Sequence, residues 1–140
     1  MLSWLNEGLE EIPLLIKIIT ARDALSVQVH PEDNLARKLE QGTGKTEMWY
    51  VLDAGKKSFL YFGFRKEISK EEFMERIEKN TLLDVLEAVP VKKGDIFFVE
   101  SGTIHAIGKD ILLAEIQQNS NVTYRVYDYG RVGVDGKKRE

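Results

Sequence analysis

Along most of this chain the apolar positions recur at a spacing of two, and two short stretches at helical spacing interrupt them. Leu2, Leu5 and Leu9 fall near one face of a predicted short amphipathic helix over 2–10. The run from Ile12 to Thr20 is β-branched, apolar and bounded by Pro13, which predicts a buried strand. Residues 21–24 read as a turn. In the next strand, 25–30, Leu25, Val27 and Val29 point one way, and Ser26, Gln28 and His30 point the other. Pro31 ends it. A helix is expected from Asp33, its N-cap, to Glu40, with Leu35 and Leu39 on one face and Gly42 as the stop.

Residues 41–45 read as a loop, and strands over 46–53 and 57–64 flank a turn at Asp53–Lys56. Ser69 and Glu72 form a capping box, opening a helix whose apolar face is Phe73, Met74 and Ile77. Thr81 and Asp84 suggest a second box before a helix from Leu82 to Val89, which Pro90 breaks. The helical insertion thus covers about 69–89. Ile96 to Val99 is a short buried strand, and 111–117 and 121–127 alternate as strands. The tail, about 132–140, is polar, turn-rich and expected to be loose. With no repeat or linker, 1–140 reads as a single, mainly β domain: an antiparallel barrel or sandwich with a small helical insertion.

Composition narrows the chemistry. The 140 residues are 43% hydrophobic and 31% charged, as in a globular core. Lys plus Arg total 20 against 23 Asp plus Glu, and this mild acid excess argues against a nucleic-acid partner. No apolar run approaches a membrane span, and the first residues lack a basic n-region, so the expected location is the cytoplasm. Cysteine is absent, which excludes thiolate ligands and nucleophiles and leaves two histidines for any metal.

Four features carry candidate chemistry. Gly42 to Thr46 imitates the end of a phosphate-binding P-loop, but Leu39 stands where the first glycine is required, and a strand rather than a helix is expected to follow. Gln28 and His30 share one strand face. Taken alone they read first as a hydrogen-bonded buried pair, with metal ligands as the other reading. His105 follows two glycine turns, at Gly94 and Gly102, and Glu47 opens a strand. Two imidazoles, a carboxylate and an amide oxygen suit Zn²⁺ or another divalent ion. Glu115, Gln117 and Asn119 share a face, as do Thr123, Arg125 and Tyr127. An Arg125–Glu115 salt bridge across neighbouring strands is one reading of these; an anion site at Arg125 is the other.

Residues 25–33 (LSVQVHPED), 44–53 (GKTEMWYVLD) and 115–128 (EIQQNSNVTYRVYD) closely resemble the type I mannose-6-phosphate isomerases of the cupin superfamily. Residues 94–105 resemble the second cupin motif, with Glu100 where that motif usually has proline. The likeness runs from Pro13 to Arg131. It implies a cupin-like jelly-roll β-barrel and a zinc-dependent aldose–ketose isomerase of mannose metabolism. Such an enzyme interconverts mannose 6-phosphate and fructose 6-phosphate through a cis-enediol. It further implies Gln28, His30, Glu47 and His105 as ligands of one Zn²⁺ per chain. Arg125 falls at the family's catalytic arginine. Lys45 and Glu115 fall at its active-site polar positions, with Ser26, Lys45 and Arg125 on the sugar phosphate. Family members are usually longer at both ends. A chain of this length would leave sheet edges unpaired, hence a homodimer is expected. The alternative is a metal-binding sugar-phosphate module without catalysis.

Overall fold

The computed structural model describes residues 13–40 and 42–139; the predicted helix over 2–10 lies outside them. Among the described residues nine strands form two antiparallel sheets. The first holds β1 (Leu14–Ala21), β8 (Ile111–Gln118), β3 (Glu47–Ala54) and β6 (Ile96–Val99), in that spatial order. The second runs β5 (Leu86–Pro90), β4 (Phe59–Phe64), β7 (His105–Ile107), β2 (Val27–Val29) and β9 (Tyr124–Tyr127). The jelly roll is therefore an open sandwich and not a closed ring. The described residues also form the helices α1 (Asp33–Glu40) and α2 (Lys70–Glu78).

Between the sheets the sequence changes character along each strand. Ile111 and Leu113 of β8, Val51 of β3 and Ile107 of β7 pack with Leu60 and Val99 into an apolar core at one end. The same inward faces continue as Glu115 and Gln117, Glu47, and His105, all buried. Strand alternation thus puts the polar residues inside, and their position along the strand gathers them at the other end. A second core lies on the outer face of the β2 sheet. There Val27, Ile104 and Tyr127 meet Leu82, Val85 and Leu86, with Phe73 and Ile77 of α2 against them.

Several expectations are corrected. β1 and β6 are not buried strands. Ile16, Ile116, Met48 and Phe98 form one cross-strand row, and Ile18, Ala114, Tyr50 and Ile96 the next. This face looks outward: Ile16 is 67% exposed, Ile18 64%, Ile96 62% and Phe98 60%. The turn after β3 does not close a hairpin, because β3 and β4 lie in different sheets. The same holds for β8 and β9. Leu82–Val85 is a single 3₁₀ turn without a side-chain cap from Thr81, and Leu86–Pro90 is strand β5, paired with β4. Pairing there outweighs a marginal helix.

In α2 the Ser69 hydroxyl accepts from Glu72 N at 3.1 Å as expected, but Met74 is exposed. In α1 the small Ala36 is buried, whereas Leu35 and Leu39 are exposed. Nor is the tail loose. Gly133 N donates to Lys137 O at 2.8 Å, Arg139 N donates to Arg131 O at 3.1 Å, and Val132 bridges to Lys138.

Candidate metal centre

Three of the four expected ligands converge. His30, just after β2, Glu47, first in β3, and His105, first in β7, are all buried. Their ligating atoms lie within 4.8 Å of one another. Two local devices place them. Gly44 packs against Pro31 and Asp33, where a Cβ would come within 2.8 Å of the Pro31 carbonyl oxygen. Asp33 Oδ1 accepts from Gly44 N at 2.8 Å, which sets the approach of Lys45 and Glu47. Gly102, at φ 85°, turns the chain before His105 in the left-handed region that glycine tolerates. Its N–H donates to His30 O at 2.7 Å, tying the two histidine segments together.

Each imidazole is oriented by a carbonyl. His30 Nδ1 donates to Val122 O at 3.2 Å and His105 Nδ1 to Thr103 O at 2.8 Å. A carbonyl only accepts, so Nδ1 carries the proton and Nε2 presents a lone pair inward. Those Nε2 atoms lie 3.5 Å and 3.3 Å from the two oxygens of Glu47. The edge of a tetrahedron with bonds of about 2.1 Å is about 3.4 Å. Among the described residues, the buried His30 Nε2 makes no hydrogen bond, and the buried Glu47 Oε2 beside it meets only the Lys45 ammonium. Buried orphans of this kind call for a partner, and two imidazoles with a carboxylate fit a divalent cation.

Electrostatics agree. Burial, followed by the charges of Lys45 and His105, pushes His30 down to about 3. Burial lowers His105 likewise. Both are neutral near pH 7, as ligation requires. Burial, and then the Glu115 charge, raises the Glu47 carboxyl, while Lys45 opposes the rise. Lys45 Nζ sits 2.9 Å from Glu47 Oε2. Lys45 is followed by strand β3 and engaged with a carboxylate, so this segment is no P-loop.

Beside the cluster is a cavity of about 310 Å³ lined by Ser26, Gln28, Lys45, Glu47, His105, Glu115 and Arg125, among others. His30 lies behind it, against Glu47. Gln28, which lines the cavity, donates from Nε2 to Ser26 Oγ at 2.9 Å. The Arg125–Glu115 bridge does not form. Arg125 Nε donates to Ser26 Oγ at 3.2 Å, while Glu115 accepts from Trp49 Nε1 at 3.0 Å and pairs with Lys17 Nζ at 3.3 Å. Nor do Arg125 and Tyr127 share a face. Gln28 opposes Arg125 and Val27 opposes Tyr127, so Val126 is the extra residue of a bulge. Arg125 faces the cavity and Tyr127 the second core.

Lys17 escaped the sequence reading. The signal was present: it is the one charge in the β1 run LLIKIITA, and it also donates to Gln117 Oε1.

The fold and the cluster define a cupin-type sandwich with a candidate metal site of two histidines and one carboxylate. Comparison with known proteins narrows the class. The profile of the phosphomannose isomerase type I catalytic domain matches residues 3–58. Mannose-6-phosphate isomerase ManA of Bacillus subtilis (strain 168) is 49% identical over 132 residues, covering 94% of this chain and 42% of that protein. The mannose-6-phosphate isomerase of Streptococcus mutans is 48% identical over 134 residues, covering 96% and 42%. The crystal structure of the Bacillus subtilis mannose 6-phosphate isomerase superposes with a TM-score of 0.88 at 39% identity, covering 96% of this chain and 43% of that one. A zinc-bound mannose 6-phosphate isomerase shares the fold, with a TM-score of 0.62 at 15% identity over 89% of this chain and 52% of that one. Over the region compared, the chain is similar to the type I phosphomannose isomerases. It spans about 42% of the length of the curated relatives it matches.

Proposed function

We propose that the chain carries the site of an aldose–ketose isomerase that interconverts mannose 6-phosphate and fructose 6-phosphate through a cis-enediol. The observation that carries this reading is the His30–Glu47–His105 cluster beside a cavity lined by Lys45, Glu115 and Arg125. The names of the relatives support the substrate.

In this reading His30, Glu47, His105 and the Gln28 amide oxygen would hold one Zn²⁺, which would supply Lewis-acid polarisation of a sugar oxygen. Glu115 takes the proton from C2 of the aldose as the C1–C2 double bond forms and O1 gains a proton. It returns the proton to C1 as O2 loses its own and becomes the ketone oxygen. Lys17 and the Trp49 indole hold the Glu115 carboxylate in place. Arg125, held through Ser26, supplies a fixed positive charge for the oxyanion or the phosphate dianion. Lys45 is the second cation.

The test is a coupled fructose-6-phosphate assay on the purified chain, repeated after chelation. Turnover that survives complete zinc removal overturns the metal reading; binding without turnover favours a sugar-phosphate module.

The same reading extends to location and assembly. Among the described residues no helix is long and apolar enough to cross a membrane; the cytoplasm is the location we propose, on the strength of the proposed sugar-phosphate substrate. Among the described residues β1 and β6 are the edges of their sheet, and between them runs an apolar outer face. An open edge and an uncovered apolar face of this kind favour pairing with a second copy.

A further inference from the structure

The hairpin after β9 takes no part in the proposed chemistry, yet it is built around a buried carboxylate. Asp128 is fully buried. Arg139 Nε lies 3.0 Å from its Oδ2, and the Arg131 guanidinium pairs with its Oδ1. Arg131 also lies over the Tyr129 ring, 5.0 Å from its centroid. Between the two arginines the chain reverses tightly, closed by the backbone bond from Arg139 N to Arg131 O. A carboxylate in such a place holds its cations firmly, because losing one leaves a buried charge undercompensated.

This anchor delivers an acceptor to the site. Arg125 Nη1 donates to the carbonyl oxygen of Arg139 at 2.9 Å. On its other edge Arg125 Nε donates to Ser26 Oγ, which also accepts from Gln28. The guanidinium is thus gripped from inside by the segment leading into β2 and from outside by the hairpin. Arg125 is an exposed residue. A free arginine there would sample many rotamers and lose that freedom on meeting an anion, whereas a gripped one is already aimed.

We infer that Arg139 is a positioning residue for Arg125. By binding Asp128 through its side chain, it presents its own carbonyl to the Arg125 guanidinium and sets the direction in which that cation faces the cavity. The kinetic consequence rests on the isomerase reading; the structural consequence does not.

The test uses the full, zinc-loaded chain with Arg139→Ala and Arg139→Lys. The first readout is the Arg125 Nε–H signal in nitrogen-resolved NMR, identified by its loss in Arg125→Lys. It should be sharp and slow to exchange in the parent. In Arg139→Ala it should exchange on the order of 10-fold faster. In Arg139→Lys, which keeps a cation on Asp128, it should recover much of the protection. An unchanged signal in Arg139→Ala overturns the inference, whether or not the parent turns over mannose 6-phosphate. The second readout is a double-mutant cycle. Arg139→Ala should lower kcat/KM by about 10- to 100-fold alone and by almost nothing in an Arg125→Ala background. Equal losses in both backgrounds mark Arg139 as merely structural and overturn the inference. A parent chain without turnover would count against the isomerase reading alone, and the NMR arm would still decide this one.

Discussion

Lys45 Nζ lies 2.9 Å from Glu47 Oε2, and each side chain is buried. Lys45 stands two residues before Glu47, the first residue of β3, and its ammonium turns onto that carboxylate. One carboxylate is thereby shared between an ammonium and two imidazole edges. In the proposed site this lysine faces the substrate and not the metal. Lys45→Met should therefore retain zinc, as read by metal analysis, while KM for mannose 6-phosphate rises by roughly 10-fold or more from loss of a charge-assisted contact.

The histidines should behave oppositely. Removing either Nε2 leaves the cation one ligand short, and the Val122 and Thr103 carbonyls cannot compensate. His30→Ala and His105→Ala should each lower zinc affinity by roughly 100-fold or more. A titration against a competing chelator measures this. Full zinc occupancy at parent affinity in either variant would remove that residue from the ligand set.

Arg125 and Glu115 test the chemistry apart from the metal. Arg125→Ala should keep zinc yet lose about 100- to 1,000-fold in kcat/KM. Glu115→Gln retains the shape, and still accepts from Trp49, but cannot take a proton. Its kcat should fall by about 100-fold or more with little change in KM. Normal turnover in Arg125→Ala would end the claim for its catalytic role.

The metal-free protein should show its burden of buried imidazole in its response to pH. Burial, then Lys45 and His105, lowers His30 from 6.5 to about 3. The unfolded chain therefore takes up a proton that the folded chain refuses, and stability falls as pH drops from about 6.5 towards 3. His105 shifts the same way. Glu47, raised by burial and Glu115, opposes them just above its ordinary value. In chelator, Tm of the parent should fall more steeply between pH 6.5 and 4 than Tm of His30→Gln. Parallel curves would contradict the shift.

Self-association should depend on the outer face. Sedimentation of the parent should show concentration-dependent dimers, and Ile16→Glu with Phe98→Glu should abolish them while leaving the inward cluster intact. A compact monomer in the parent at all concentrations would remove the second copy from the reading.

The sequence was most legible where chemistry and alternation coincide. Ser26 and Gln28 line the cavity while Val27 lies in the second core, as alternation requires, but Leu25, expected to point with Val27, lines the cavity instead because the strand starts only at Val27. Glu47 and His105 join His30 because all three begin or adjoin strands at the same end of the sandwich. Long-range pairing was less legible. Nothing local to 46–64 says that consecutive strands lie in different sheets, and nothing in the run through Val126 announces a bulge that turns Arg125 and Tyr127 to opposite faces. Leu82–Val89 carries helix-like spacing, yet pairing with β4 decides its second half. The tail looked loose because its anchor, Asp128, lies outside it.

The apolar outer face has one more consequence, which concerns how β1 finds its place. Sliding a strand by one residue exchanges its two faces, and normally that is forbidden because oil would meet water. β1 has isoleucine or leucine on both sides, so oil and water barely discriminate between the two settings. Lys17 does discriminate. Only one setting brings its ammonium to Glu115 and Gln117. The edge strand is thus keyed by a polar bond inside the cavity, and the group that steadies the proposed base also tells the strand where to stop.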